Sequence, residues 1–573
     1  MRRTRTTWAM LWAAVLVLAA CSDDGGGTQD GGKADGRAVE DGTSDRGQVD
    51  GEESDGSGTD GPDTDSGPPA PTCTPPIQLV DTTSPDHVVG SGTAASCTAA
   101  VLSAEVAKGG VITFNCYAAG ATIKIDTTID VPSDKDTVID GGGAIVLDGQ
   151  GKVRILALEH GDYRKNTKKL VLQRLTLQGG KATGTDYTPQ DPAKPKCAYG
   201  YKDGAGGAVR VRDAVLHVID CAFNNNEAAS PGPDVGGGAV YVLGSLGVTV
   251  VGSTFTGNKG SNGGAVGLLQ TTGTFVNTNF TGNQATGTGQ NYVEPGCPGV
   301  GHANQGGAGG NGGAISIDGA DDLEQYFCGV TFGGNKCNEL GGCVFRTANG
   351  AQRKATLLQC TLDANQAGKG GGCLYISNSD FTLSQSLVAN NVVTDGSGGG
   401  VRTELNTKAS IVNTTFYNNS SPKGLMGALS HSGGGEIRNC TFAANKAEGG
   451  AGLFTAAVGP AGPVTVHNTV FSGNTTKEPY NPQACWFQPK QGANNFQWPQ
   501  KRYGGQIDDT ACVENINWQD AKLGPLQDNG GPTQTMMPAS TSPVIGAGKD
   551  CPELDQRGQP RSKTSCAAGA VEP

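Results

Sequence analysis

"GGAVGLLQTTGTFVNTNFTGNQA", residues 263–285, opens on two glycines and an alanine and closes around Phe280-Thr281-Gly282-Asn283. The stretch before it, "GGAVYVLGSLGVTVVGSTFTGNKG" at 237–260, has the same layout, and "GGCLYISNSDFTLSQSLVANN" and "GGGVRTELNTKASIVNTTFYNN" repeat it downstream. The leading residue of each F/L-x-x-N motif falls at Phe223, Phe255, Phe280, Phe332, Leu362, Leu387, Phe416, Phe442 and Phe471, among them Phe-x-x-Asn units ending at Asn258, Asn283, Asn335, Asn419, Asn445 and Asn474. Their spacing is 25 to 32 residues except for one gap of 52, about two periods, which holds a Gly-rich insertion. Glycine-led positions recur in step at Ala208, Ala239, Ala265, Ala314, Cys343, Cys373, Ala428 and Ala451. This period, with short alternating segments such as "VTVVGSTF", predicts a β-solenoid; 92 glycines and the lack of 3.6-residue periodicity exclude a helical repeat.

In such a fold each turn contributes two or three short strands, and successive turns stack about 4.8 Å apart. Equivalent residues then lie above one another. The glycines supply bends and close approach, the alanine faces a narrow core, the phenylalanines stack, and the asparagines bond to turn backbone above and below. Cys343 and Cys373 share one repeat position, as a cross-link or as stacked thiols.

The Gly-Gly-Ala and Phe-x-x-Asn units over about 200–475 resemble the repeats of chlamydial polymorphic outer membrane proteins and, more broadly, right-handed parallel β-helix proteins. "ATIKIDTTIDVPSDKDTVIDGGGAIVLDGQGKVRIL" reads as the first coils, entered by a cap with a helix near Thr98 to Lys108. At the other end, "LGPLQDNGGPTQTMMPASTSPVIGAG" and "DQRGQPR" are similar to the ending of bacterial choice-of-anchor Q domain proteins, although the final "AAGAVEP" departs from their usual close. The fold class expected is all-β: a right-handed parallel β-helix (β-solenoid) with an N-terminal cap and a C-terminal cap or flank, preceded by a disordered linker. The expected domains are 1–21, 22–72, 73–484 (cap and β-helix) and 485–573 (C-terminal cap region).

Arg2, Arg3 and Arg5 precede an apolar run ending in "LAAC", which resembles the lipobox of bacterial lipoproteins. The resemblance makes Cys21 the lipid-bearing first residue of the mature protein and a membrane its partner. The expected localisation is an exported bacterial lipoprotein of the outer membrane, at the cell surface. Residues 22–72 hold 14 acidic and 3 basic side chains and almost nothing apolar, the composition of a solvated tether. The formal net charge of −12 therefore resides mostly in that segment and indicates nothing about what the folded part binds. Apart from Cys21, 16 cysteines remain, an even number suited to an oxidising exterior. Local pairs expected are Cys97 with Cys116, Cys485 with Cys512, and Cys551 with Cys566.

A catalytic β-helix needs carboxylates, with Arg or Lys, at one phase of neighbouring turns. The residue after each repeat position is acidic only at Asp363. Asp318, Asp321, Asp322 and Glu324 form the densest acidic group and read as a solvated turn; Asp140 and Asp148 read as turn residues of the early coils. His217 and His467 lie within strands, and "YRKNTKK" at 163–169 is too short to indicate nucleic-acid binding. No metal or cofactor motif is present, and the catalytic residues are unknown. The reading is a non-enzymatic, lipid-anchored surface protein for adhesion or for contact with a polysaccharide or surface protein, with loops at 181–205 and 285–311 as candidate binding surfaces. The alternative is a polysaccharide lyase or glycoside hydrolase acting on acidic polysaccharide.

Overall fold

The structure, a computed structural model, describes residues 73–183, 204–229, 236–288, 309–319, 323–348, 353–404, 406–455, 462–486 and 491–573, all within the unit Ser66–Pro573. Cys21, the segment 22–72 and most of both candidate loops lie outside the described residues.

One coil shows the plan. Val240–Leu243 forms the first face (face B), and Val248–Val251 and Thr254–Thr256 form the two halves of the second (face A). Lys259–Gly260 forms a short third face (face C). Each strand pairs in parallel with its equivalent one coil on, for example Val240 with Val266 and Phe255 with Phe280. The chain therefore winds as a right-handed parallel β-helix. A single left-handed residue separates the halves of face A: Gly252 here, Asn277, Asn413, Asn439 and Asn468 elsewhere.

The glycine pair now has a stereochemical reason. Gly237 turns face C into face B with φ of 65°, a left-handed conformation costly for other residues. At Gly238 a Cβ would lie 2.2 Å from the Gly264 carbonyl oxygen of the next coil, so stacking at this pitch excludes any side chain. Ala239, fully buried, is what still fits in the tapered corner.

Inside face A, Phe223, Phe255, Phe280 and Phe332 stack with centroids 4.6, 4.8 and 5.1 Å apart, and Phe416, Phe442 and Phe471 form a second column. Between the columns the register corrects one expectation. Val388, not Leu387, lies between Leu362 and Phe416. The repeat there reads Val388-Ala389-Asn390-Asn391, with Asn390 left-handed and Asn391 in the asparagine column; two adjacent asparagines made the phase ambiguous.

That column runs through Asn226, Asn258, Asn283, Asn335, Asn365, Asn391, Asn419, Asn445 and Asn474. From Asn258 onward each Oδ1 accepts from the backbone N–H and the amide of the asparagine one coil earlier, as Asn283 does from Asn258 at 3.0 and 2.9 Å. Each amide also donates to a carbonyl of the phenylalanine column's strand, as Asn258 Nδ2 does to Phe223 O at 3.0 Å. A corner that would bury polar backbone is thereby satisfied from within.

At the N-terminal end, helix Ala99–Val106 is capped by Thr98, whose Oγ1 accepts from Val101 N–H. Leu102 and Val106 are fully buried and close the end of the core. Cys97 is bonded to Cys116, Cys343 to Cys373, Cys485 to Cys512 and Cys551 to Cys566, while Cys73 is bonded to Cys328 across 255 residues. Cys221, Cys337, Cys360 and Cys440 are free buried thiols. Burial pushes each up to about 12, which removes their nucleophilicity.

Both flanking segments then lie on the outside of face A, along the left-handed corner. Ile77 and Val80 pack on Val138, Val171 and Ile219, and Gln173 exchanges hydrogen bonds with the Val80 backbone at 2.9 and 3.0 Å. From the other end, Asn468 Nδ2 donates to Lys549 O, Asn439 Nδ2 to Ala567 O, Asn413 Nδ2 to Leu554 O and Gln385 Nε2 to Asp555 O. The "DQRGQPR" stretch is a clasp here: Asp555, fully buried, accepts from Arg557 and Gln559 backbone N–H, and Gln556 Oε1 accepts from Thr415.

Candidate functional site

With the internal columns used for architecture and the corner of face A covered, chemistry is left to the outward rows of faces A and B. On face B the outward row carries Arg210, Tyr241, Gly267, Ser316, Phe345, Tyr375 and Arg402. Phe345 stacks on Tyr375, and Arg402 lies over the Tyr375 ring at 5.8 Å. Arg210, Tyr241 and Phe345 are nonetheless buried.

Carboxylates of this face include Asp130, Glu159 and Asp318, with Glu404 just past its strand. Burial raises Glu159, against the opposing pull of Arg210 2.8 Å away, and burial likewise raises Asp318. Glu159 and Asp318 share one row four coils apart, about 19 Å at ~4.8 Å per coil. Paired glycosidase carboxylates stand about 5–9.5 Å apart, so these two cannot serve one glycosidic bond.

Face A offers a more continuous surface. The outward position of its first half runs through His217, Thr249, Thr274, Tyr326, Thr356, Thr382, Ser410, Glu436 and Thr465. All are at least partly exposed, and hydroxyls repeat once per coil from Thr249 to Ser410. Beside them runs a row of alternating charge, Lys354, Asp380 and Lys408, with Lys354 Nζ 3.2 Å from Glu324. At the next coil this row reaches Gly434, and beside it Gly435 lines a recess of about 450 Å³. Asp380, Thr382, Lys408, Ser410 and Glu436 line it. Glu436 accepts from Ser410 Oγ and from Arg438 Nη2, both at 3.2 Å.

Sequence-selected residues divide clearly. Asp321 and Asp322 lie outside the described residues, Asp318 is turned toward face B, and Glu324 pairs with Lys354. Asp140 is a turn residue, accepting from Gly142 N–H, and is also buried and clamped by Arg174, Thr82 and Gln173. Burial pushes its carboxyl up, but those partners outweigh it and hold it at about 2. Asp148 caps its own turn by accepting from Gln150 N–H. His217 and His467 are half-buried in face A, each lowered chiefly by burial. The 163–169 segment is largely exposed.

The recess residues escaped the sequence reading because it tested only the position after each repeat residue. The hydroxyl row lies six residues before it, from Thr249 before Phe255 to Thr465 before Phe471. Arg346 and His431 were also missed; both point inward from face B and are buried. Arg346 donates to Ser379 and Leu323 O; His431 Nε2 donates to Gly434 O, and its Nδ1 is hydrogen-bonded to Thr403 Oγ1. Among the described residues no three His, Cys, Asp or Glu side chains converge as metal ligands, and no helix is long and apolar enough to cross a membrane.

The protein family described as right handed beta helix region matches residues 314–486, the coils that carry the recess. No curated protein matches the chain.

Proposed function

We propose that this is a lipid-anchored surface protein that binds a linear glycan or similar extended polymer along face A, without turning it over. The observation that carries the reading is the row of hydroxyls at one-coil spacing, ending in a recess with charges of both signs. A repeating polymer laid along the solenoid meets the same donor and acceptor at each step, so weak contacts add along its length. Arg438 and Ser410 already engage Glu436, while Asp380 and Lys408 face open solvent. Catalytic carboxylates gain strength where water is excluded, which this open surface does not provide. The "LAAC" segment, with Cys21 as lipid carrier, supports attachment to the outer membrane, and the five disulfides among the described residues suit an oxidising exterior.

The test is retention of the exported protein on immobilised neutral and uronate-rich polysaccharides, with reducing ends and unsaturated products followed on the same panel. Saturable retention, lost in Thr382→Val combined with Lys408→Gln, and no product, is the expected result. One observation favours the enzyme reading instead. Asp380 and Glu436 flank one recess, two coils and two residues apart, about 12 Å between their Cα atoms from the strand spacings, with Lys408 between them. Product formation abolished by Asp380→Asn or Glu436→Gln would make the protein a hydrolase or lyase and overturn the binding reading.

A further inference from the structure

The described chain does not enter the solenoid at its end. Cys73 is bonded to Cys328, in strand Gln325–Cys328, which is paired on one side with Gly273–Val276 and on the other with Ala355–Leu358. Only then do residues 74–86 run back over the outside to the cap, where edge strand His87–Val89 begins the winding. That strap is held mostly by side-chain contacts. Asn277 Nδ2 donates to Cys73 O, Gln173 grips Val80, Thr82 donates to Asp140, and Asp86 accepts from Val111 N–H. Pulled from its free end, such a strap comes away one contact at a time, because its hydrogen bonds are isolated rather than in a ladder. Beyond it lies a strand paired on one side only.

We propose that Cys73–Cys328 is a load-bearing staple: tension arriving through the chain before Cys73 enters the solenoid at a central strand and bypasses the strap, the cap and the early coils. The purpose rests on the surface-anchored reading above, but the mechanics do not. A strand held on both sides, with Phe327 buried at 1 % exposure, resists extraction as a unit, because its ladder bonds and core contacts must break together. The covalent path through residues 74–327 is bypassed while the bond is intact.

The experiment is single-molecule extension of the exported chain, held at its two ends, with no glycan present. The oxidised protein should show no early low-force extension and should withhold the contour of residues 74–327, as much as roughly 90 nm at ~3.5 Å per residue. Cys73→Ser combined with Cys328→Ser should lower the force of the first event and begin with release of the strap, about 5 nm. Should that variant not fold, the wild-type protein is held below its unfolding force while a dithiol is admitted. The dithiol is oxidised to its cyclic disulfide as Cys73 and Cys328 become thiols, and the strap step should follow. Identical first-event forces and released lengths with and without the bond would overturn the proposal, whatever the outcome of the glycan panel.

Discussion

Replacing Asn335 by alanine tests whether the asparagine column holds the solenoid together. Asn335 is fully buried; its Oδ1 accepts from Asn283 N–H and Nδ2 at 3.0 and 2.9 Å, and its Nδ2 donates to Phe280 O and Asn365 Oδ1, both at 2.9 Å. The substitution removes four hydrogen bonds. Asn365 Oδ1 keeps the Asn335 backbone N–H, and Asn283 Nδ2 keeps Phe255 O, so these are partly compensated. Phe280 O keeps its ladder bond to the next coil, so only Asn283 N–H loses a buried partner outright. At about 1–3 kcal/mol for that stranded group, with a smaller loss from the other three bonds, the cost is about 2–4 kcal/mol. Asn338→Ala is the matched control: the same residue type three positions on, also donating to two carbonyls at 3.0 Å, but exposed, and expected to cost less than about 1 kcal/mol. Urea unfolding of both variants, with hydrogen exchange at the amides of Asn283 and Asn335, separates a global loss from local opening of one coil. A cost for Asn335→Ala within 1 kcal/mol of the control would refute the reasoning, since it would mean that water or relaxation satisfies the corner.

Phe442→Ala, which removes the middle ring between Phe416 and Phe471, should cost about 3–5 kcal/mol, measurable as a lower calorimetric midpoint. Cys343→Ser with Cys373→Ser opens a cross-link 30 residues long and should cost about 3 kcal/mol in denaturant under oxidising conditions, and nothing more once the wild type is reduced. Cys221, Cys360 and Cys440 should resist alkylation at pH 8 in the native protein and react once it is unfolded, as peptide mapping would show. Burial lowers His431 to about 4 from 6.5, so the unfolded chain binds its proton first as pH falls. Stability from this group is complete above pH 6.5 and is lost toward pH 4, by about 3 kcal/mol, a slope that His431→Gln should flatten in pH-dependent melting.

The repeat itself was legible because its chemistry is local. Gly237, Gly238 and Ala239 answer to one tight corner, and Phe255-Thr256-Gly257-Asn258 to another, so their spacing reports the pitch directly. Phase was less secure where the pattern was degenerate, and Leu387 against Val388 is the instance. The candidate site was poorly legible. Thr382, Ser410 and Glu436 are 26 to 28 residues apart in sequence and become neighbours only when coils stack, and Gly435 in the lining of their recess looks like any of 92. Asp140 shows the opposite failure: an ordinary turn motif that the N-terminal strap and Arg174 convert into a buried clamp.

What the amino-acid order determined by itself was the solenoid: glycine where no Cβ fits, small residues at the corners, aromatic and asparagine columns at a fixed interval. Each is a condition on a few consecutive residues, repeated, and stacking follows once one coil is specified. The tertiary structure alone decided which outer rows stay open. The strap and the clasp take the left-handed corner of face A, Cys73 meets Cys328 across 255 residues, and Arg346 and His431 turn inward. These contacts join segments whose sequences carry no mark of one another, because their complementarity exists only after the coils have formed the surface they bind.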